Sequence, residues 1–159
     1  MSYIQTLLIG SLLTFASTSF AAEPINTLDK ISFLGGFEQT GVAIRGYDAV
    51  AYFTESKPVE GSKAITKRWK GAIWRFATTE HRDMFDADPE SYAPQYGGYC
   101  AYGIAAQERL VKIEPSLWTI ADGKLYLNYN DEVQKRWEQD IDSHIAAANA
   151  NFEKLLDDR

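Results

Sequence analysis

Short runs of apolar residues alternate with turn residues over most of the chain. The apolar run at residues 49–53 predicts a first buried strand or a short extended segment. Two further pairs of runs each flank a two-residue turn: 66–69 with 72–76, and 117–121 with 124–128. The turns, Lys70-Gly71 and Asp122-Gly123, end in glycine, which tolerates positive φ, and each pair is therefore predicted to form an antiparallel hairpin.

Capping residues and helical spacing mark the segments between and after the hairpins. Thr78 or Thr79 is predicted to cap a short helix and Asp88-Pro89 to start another, because a hydroxyl or carboxylate satisfies free N–H groups of the first turn. Residues 105–110 predict a turn or two of helix, and Asn130 caps the next one. The last helix carries apolar residues at a helical period: Ile141, Ile145, Ala148, Phe152 and Leu155.

Together these elements predict one α+β domain. Two hairpins and one further strand supply a small antiparallel sheet, which short helices and two C-terminal helices cover. No period of 20–50 residues repeats, and no linker divides the chain. We therefore expect a signal peptide at residues 1–21, an N-terminal lead-in at 22–44 and the folded domain at 45–159.

The N-terminus has the pattern of an export signal. Residues 7–16 form an uncharged apolar stretch, and Ser19-Phe20-Ala21 offers the small residues that a signal peptidase reads. The stretch is shorter than the roughly 20 residues that cross a bilayer, so no permanent membrane span is expected. The first basic residue is Lys30, so that positive charge before the apolar stretch comes from the α-amino group alone. We expect an exported, periplasmic protein; the alternative interpretation of this stretch is an uncleaved hydrophobic anchor.

Composition narrows the function classes. The 159 residues are 45% hydrophobic and carry a net charge of −6, which is typical of a globular domain and argues against nucleic acid as a partner. One cysteine excludes a disulfide framework and a multi-cysteine metal cage. The sequence contains no phosphate loop, no HExxH motif and no GxSxG nucleophile elbow. No conventional enzyme class is therefore favoured.

The single thiol is the main candidate for chemistry. Cys100 is either a buried small hydrophobe or a functional thiol, and a free thiol in an oxidising compartment risks overoxidation unless it is used. If Cys100 opens a short helix, the helix dipole lowers its pKa. His81 is either a surface residue or a partner of Cys100, as general base or second soft ligand. Candidate pocket-lining residues surround the thiol: Tyr96, Gly97, Gly98, Tyr99, Tyr102 and Gly103.

Several stretches resemble the exported, single-domain branch of the YHS family, whose members are described as YHS domain-containing (seleno)proteins. The matching stretches are residues 46–53, 71–76, 85–103 and 122–130. The resemblance implies a compact α+β unit. It also implies redox or soft-metal chemistry at Cys100, because some relatives carry selenocysteine at that position.

The chain also departs from the wider YHS family. Two cysteines usually stand four positions apart at the start of the short helix, where this chain has Ala77 and His81, and the Tyr-His-Ser triplet is missing. The cysteine-based metal site of those relatives is therefore not carried over. At most, His81 and Cys100 form a two-ligand site completed by water, a tyrosine or a partner.

Three hypotheses follow. The first is a soft-metal module that binds copper or zinc through Cys100, with help from His81. The second is a thiol redox protein in which Cys100 reacts and an external thiol, from a partner protein or a small molecule, resolves the product, because the chain has no second cysteine. The third is a non-catalytic interaction module that docks through its aromatic and acidic surface.

Overall fold

The computed structural model describes residues 24–30 and 37–157. The predicted signal peptide and part of the predicted lead-in lie outside these residues. The described strands are β1 (Leu28–Lys30), β2 (Phe37–Gln39), β3 (Ser62–Trp69), β4 (Ala72–Phe76), β5 (Trp118–Ala121) and β6 (Lys124–Leu127). The described helices are α1 (Ala51–Thr54), α2 (Thr79–Ala87), α3 (Pro89–Tyr92), α4 (Ala101–Gln107), α5 (Asp131–Gln139) and α6 (Ile141–Asp157).

The α+β class and both predicted hairpins are confirmed. β3 and β4 pair antiparallel up to Trp69 opposite Ala72, and β5 and β6 up to Ala121 opposite Lys124. The predicted single sheet is wrong, however. The described strands form three separate two-stranded sheets, and the third pair, β1 with β2, lies in the predicted lead-in.

Two local predictions are also corrected. Residues 49–53 do not form a strand, because α1 begins at Ala51, and the Asp48 carboxylate accepts hydrogen bonds from the N–H groups of Val50 and Ala51. The helix predicted at 105–110 is α4, which spans Ala101–Gln107 and ends where Glu108 adopts a left-handed conformation with φ 49°. The caps of α2 and α3 by Thr78 and Asp88 are confirmed.

The same succession of elements occurs twice, with an offset of 52 positions (48 to 100). In each half a left-handed 3₁₀ turn leads into a short helix, a hairpin and a second helix: Ala43–Gly46, α1, β3–β4 and α2, then Gln95–Gly98, α4, β5–β6 and α5. Positive φ angles recur at matching positions: Ile44 with Tyr96, Arg45 with Gly97, Gly46 with Gly98, Ser56 with Glu108, Lys70 with Asp122, and Gly71 with Gly123. The fold therefore contains an internal structural repeat.

Each half has its own aromatic core at equivalent positions. In the first half, Trp74 on β4 lies 5.0 Å from Phe85 on α2, measured between ring centroids. In the second half, their counterparts Tyr126 on β6 and Trp137 on α5 lie 5.2 Å apart. α6 follows the second half and packs against α4, where Asn151 Nδ2 donates to the Ile104 carbonyl.

The segment before the first half docks between these units. The Asn26 side chain, which is 1% exposed, donates to the Gly98 carbonyl at 2.9 Å, and its backbone N–H donates to the Gly97 carbonyl at 2.8 Å. Gly97 has φ +61°, and a Cβ atom there would lie 1.9 Å from the Pro24 carbonyl oxygen. Glycine is thus required at this close approach.

None of the helices within the described residues is at once long and apolar enough to cross a bilayer.

Candidate functional site

Asp48 forms the polar centre of the first half. This carboxylate is fully buried and caps α1 through the N–H groups of Val50 at 2.9 Å and Ala51 at 3.4 Å. Its second oxygen accepts from the Ala77 N–H at 2.8 Å and from His81 Nδ1 at 2.7 Å. The carboxylate therefore lies in a cradle of three backbone N–H groups, closed on one side by an imidazole.

Both ring nitrogens of His81 have hydrogen-bond partners in this network. Its side chain is almost entirely buried, and while Nδ1 faces Asp48, Nε2 lies 3.2 Å from the Thr54 hydroxyl. Its backbone N–H donates to the Thr78 hydroxyl, which caps α2. Both ring nitrogens thus have partners in the first half of the fold.

Cys100 occupies the position of Asp48 in the second half. It caps α4, and its Sγ accepts from the Gly103 N–H at 3.4 Å. The backbone N–H groups of Tyr129 and Tyr102 also interact with the sulfur and favour its charged form. The thiol is 1% exposed, and its S–H donates to Asn128 Oδ1, with Sγ and Oδ1 3.6 Å apart.

The two cradles are built from matching residues. Val50, Ala51 and Ala77 around Asp48 correspond, 52 positions on, to the three residues whose N–H groups favour the charged form of the sulfur: Tyr102, Gly103 and Tyr129. Even the backbone support recurs, since Asp48 N–H donates to the Val59 carbonyl and Cys100 N–H to the Val111 carbonyl. A site that holds a carboxylate in one half holds a thiol in the other.

A cavity of about 730 Å³ lies beside Cys100. Its lining includes the thiol residue, Gly103, the two tyrosines Tyr102 and Tyr129, and Val133 near the start of α5. Val133 is the counterpart of His81 and, like it, has its backbone N–H capped, here by Asn130 Oδ1 at 2.9 Å. The second half therefore has a cavity and a valine where the first half has an imidazole.

The Cys100 pKa is raised rather than lowered, which corrects the expectation based on the helix dipole. Burial of the sulfur raises the pKa, and the N–H groups of Gly103, Tyr129 and Tyr102 offset only part of that rise. At neutral pH Cys100 is therefore a protonated thiol, and its S–H donates a hydrogen bond to Asn128 Oδ1.

The structure places Cys100 and His81 in separate polar networks. The hydrogen-bond partners of the Cys100 side chain are Gly103 and Asn128, whereas those of His81 are Asp48 and Thr54. Within the described residues, no group of three or more His, Cys, Asp or Glu side chains is arranged to hold a metal ion.

The predicted pocket residues divide between two cavities. Tyr102 and Gly103 line the cavity beside Cys100. Tyr96 and Gly97 instead line a second cavity of about 410 Å³, which α6 borders. Gly98 and Tyr99 line neither of these two cavities and are buried at the end of the turn Gln95–Gly98.

Sequence reasoning missed the polar residues that position the thiol. Asn128 Oδ1 also accepts from the Tyr102 N–H at 3.2 Å, and its Nδ2 donates to Gln134 Oε1 at 2.8 Å, so that the amide orientation is fixed with its oxygen toward the sulfur. In the sequence, Asp48 was noted only as one residue of the stretch 46–53 and not as a site residue. The signal that finds it is the pair of similar segments at residues 46–49 (Gly-Tyr-Asp-Ala) and 98–101 (Gly-Tyr-Cys-Ala).

Comparison of the chain with family models, with curated proteins and with solved structures finds no match.

The raised pKa of Cys100 predicts a loss of stability in alkaline solution. In the unfolded chain the thiol loses its proton at its ordinary pKa near 8.5, while the folded protein retains the proton to higher pH. The folded state then binds more protons than the unfolded state, and the free energy of unfolding falls as pH rises, by up to about 1.4 kcal/mol per pH unit. Below the ordinary thiol pKa this contribution does not change with pH.

The measurement is urea unfolding at several pH values from 7 to 10 of the wild type and of Cys100→Ser, which has no titrating thiol. Buried tyrosines with raised pKa values, such as Tyr52 and Tyr96, contribute equally to both proteins. We expect the wild type to lose more stability than Cys100→Ser across this range. Parallel curves would show that the thiol titrates alike in both states.

Proposed function

We propose that the protein is a thiol redox protein in which Cys100 exchanges with external disulfides and thiols. The observation that carries this proposal is the cradle around the sulfur. The Gly103 N–H donates to Sγ at 3.4 Å, and the N–H groups of Tyr129 and Tyr102 also favour its charged form. The matching three N–H groups of the first half hold the carboxylate of Asp48. A cradle of this geometry suits a negative charge, which the sulfur acquires when it reacts as a thiolate.

The proposed exchange proceeds in two balanced steps. Cys100 releases its proton to solvent, and its thiolate attacks one sulfur of an external disulfide, which forms a mixed disulfide and expels the other half as a thiolate. An external thiolate then attacks the outer sulfur of the mixed disulfide and forms a new disulfide with it, while the bond to Cys100 breaks and the Cys100 thiolate leaves and takes up a proton from solvent. The external thiol is needed because the sequence contains no other cysteine.

The raised pKa of Cys100 gives this site a particular reactivity. At neutral pH only a small fraction of the thiol is ionised, since burial opposes the charge. A thiolate of high pKa is intrinsically more nucleophilic but is also a poor leaving group. A thiol that attacks the outer sulfur of the mixed disulfide must expel the Cys100 thiolate, and this step is therefore expected to be slower than for an ordinary cysteine. The site thus favours formation of the mixed disulfide over its cleavage.

Two further considerations support thiol chemistry. The N-terminal sequence predicts export to an oxidising compartment, where disulfides are available as co-reactants. The resemblance to the exported YHS proteins, some with selenocysteine at the position of Cys100, implies that this position reacts rather than packs. A selenolate would use the same three N–H groups.

Soft-metal binding at the same thiol is the second candidate. Its support is the cavity beside Cys100, which has room for ligands from outside the chain. A copper(I) ion would displace the thiol proton and take Cys100 as its sulfur ligand. His81 is not available to it without leaving Asp48 and Thr54, so a partner molecule would have to complete the coordination.

The test is incubation of the folded, reduced protein with hydroxyethyl disulfide, followed by intact-mass measurement. We expect one mixed-disulfide adduct on the wild type, reversed by added thiol, and none on Cys100→Ser. A parallel titration with copper(I) under an affinity-matched chelator tests the metal candidate, for which Cys100-dependent uptake without disulfide exchange is the expected result. Absence of any adduct on the folded wild type would overturn the redox proposal.

A further inference from the structure

The cavity beside Cys100 lies where the first half of the fold has an imidazole. His81 closes the cradle of Asp48 at 2.7 Å, and its counterpart Val133 lines the cavity together with Cys100. The Thr54 hydroxyl that meets His81 has Ala106 as its counterpart, so that this half lacks both polar groups. The repeat thus leaves the sulfur without the imidazole partner that the same fold gives to the carboxylate.

The lining of the cavity carries positively charged side chains. Arg109 and Lys112 both line it, against one acid, Glu108. Within the described residues, the Arg109 side chain is exposed and makes neither an ion pair nor a side-chain hydrogen bond. The Lys112 ammonium lies 4.7 Å from the ring centroid of Tyr129, which also lines the cavity. Two cations and one acid thus line this cavity, in a chain of net charge −6.

Because a cavity focuses the field of the charges around it, these cations raise the local concentration of anions. The two tyrosine rings beside them offer apolar surface to the carbon chain of a small ligand. A guanidinium without a partner binds a carboxylate through two parallel hydrogen bonds. A ligand that meets both demands is a small organic molecule with a carboxylate at its end.

We propose that the disulfide which reacts with Cys100 is a small organic disulfide bearing carboxylates, and that Arg109 selects it. This inference rests on the proposed function. In the reaction the Cys100 thiolate attacks the nearer sulfur, the Cys100–S–S–R bond forms, the original S–S bond breaks, and a carboxylate-bearing thiolate leaves. Arg109 binds the carboxylate of the captured half and so determines specificity without taking part in the exchange.

The experiment compares three small symmetrical disulfides of similar size: dithiodipropionate, which is anionic, hydroxyethyl disulfide, which is neutral, and cystamine, which is cationic. The rate of adduct formation on the folded protein is measured by intact mass and divided by the rate of the same disulfide with free 2-mercaptoethanol. We expect a normalised order of anionic, neutral, cationic, with about tenfold between the extremes at low salt and less at high salt.

The variants are Arg109→Gln and, as matched control, Arg68→Gln, which removes an exposed arginine of β3 outside the cavity lining. We expect Arg109→Gln to lose about fivefold of the preference for the anionic disulfide over the neutral one, and Arg68→Gln to keep the wild-type preference.

The outcomes separate this inference from the proposed function. Equal normalised rates for all three disulfides, or equal effects of both arginine variants, would overturn the anionic preference and leave thiol exchange standing. Failure of all three disulfides to react with the folded protein, while the unfolded chain reacts, would overturn the proposed function itself.

Discussion

Replacement of Asp48 by alanine is expected to destabilise the protein by about 4 kcal/mol, a large part of the roughly 5–15 kcal/mol by which folded domains are stable. The side chain is 0% exposed and accepts four hydrogen bonds, three of them from backbone N–H groups. Its removal leaves these donors buried without an acceptor, each at a cost of about 1–3 kcal/mol before relaxation, and deprives His81 of its partner. Urea unfolding of the variant measures the loss.

Two controls make this result specific to the cradle. Asp83→Ala removes an exposed carboxylate whose one partner among residues 24–30 and 37–157 is the neighbouring Arg82, and it is expected to change the free energy of unfolding by less than about 0.5 kcal/mol. Asp48→Asn retains the shape but turns an N–H₂ group toward the Ala77 N–H or His81, so an intermediate loss is expected. A loss below about 1 kcal/mol for Asp48→Ala would show that the network contributes little.

The second large effect is a gain of reactivity in Val133→His. The repeat places residue 133 in α5 where His81 stands in α2, third in the helix and with its N–H capped in the same way. An imidazole there would face Cys100 as His81 faces Asp48. Its protonated form stabilises the thiolate and lowers the thiol pKa, so that the rate of reaction with hydroxyethyl disulfide at pH 7 is expected to rise at least tenfold.

The matched control for this variant is Val133→Gln, which adds polar bulk without a titrating group. We expect Val133→Gln to react at about the wild-type rate. The rate of Val133→His is also expected to reach its plateau at lower pH than that of the wild type, because the thiolate then forms at lower pH. Equal rates for the two variants across the pH range would contradict the equivalence of the two cradles.

The parts of the fold that depend on local sequence were predictable. Both hairpins depend on two-residue turns ending in Gly71 and Gly123, which adopt φ +81° and +71°. The start of α1 was not predictable from the apolar run at 49–53, because a run of five apolar residues suits a buried strand or a buried helix equally. What decides between them is a side chain, Asp48, whose carboxylate bonds to the next amides.

The internal repeat was hidden for a different reason. Its matching features are backbone conformations, and different side chains adopt them: Arg45 and Gly97 have φ +58° and +61°, and Lys70 and Asp122 have φ +45° and +49°. A comparison of residue identities therefore finds only short matches, such as Gly46-Tyr47 with Gly98-Tyr99. The separation of the strands into three sheets likewise depends on tertiary packing, which periodicity does not report.

At the candidate site, the sequence indicated the thiol and its place at a helix start, but not its surroundings. Cys100 caps α4, which is the condition under which the sequence predicted a lowered thiol pKa. The predicted direction of its pKa shift was wrong. Burial of the sulfur raises the pKa by more than the surrounding N–H groups lower it, and the extent of burial follows only from the tertiary structure. The separate placement of His81 also needs three dimensions, since its partner Asp48 is 33 positions away in the chain.

The central claim is that Cys100 is reached through the cavity while the protein stays folded. The most direct measurement is the rate of adduct formation with methyl methanethiosulfonate, a small neutral reagent, compared under the same native conditions with the rate of global unfolding. We predict a single adduct on Cys100 that forms faster than the protein unfolds and whose rate increases with reagent concentration. An adduct rate that never exceeds the unfolding rate would contradict the claim, because the sulfur would then be sealed in the folded state.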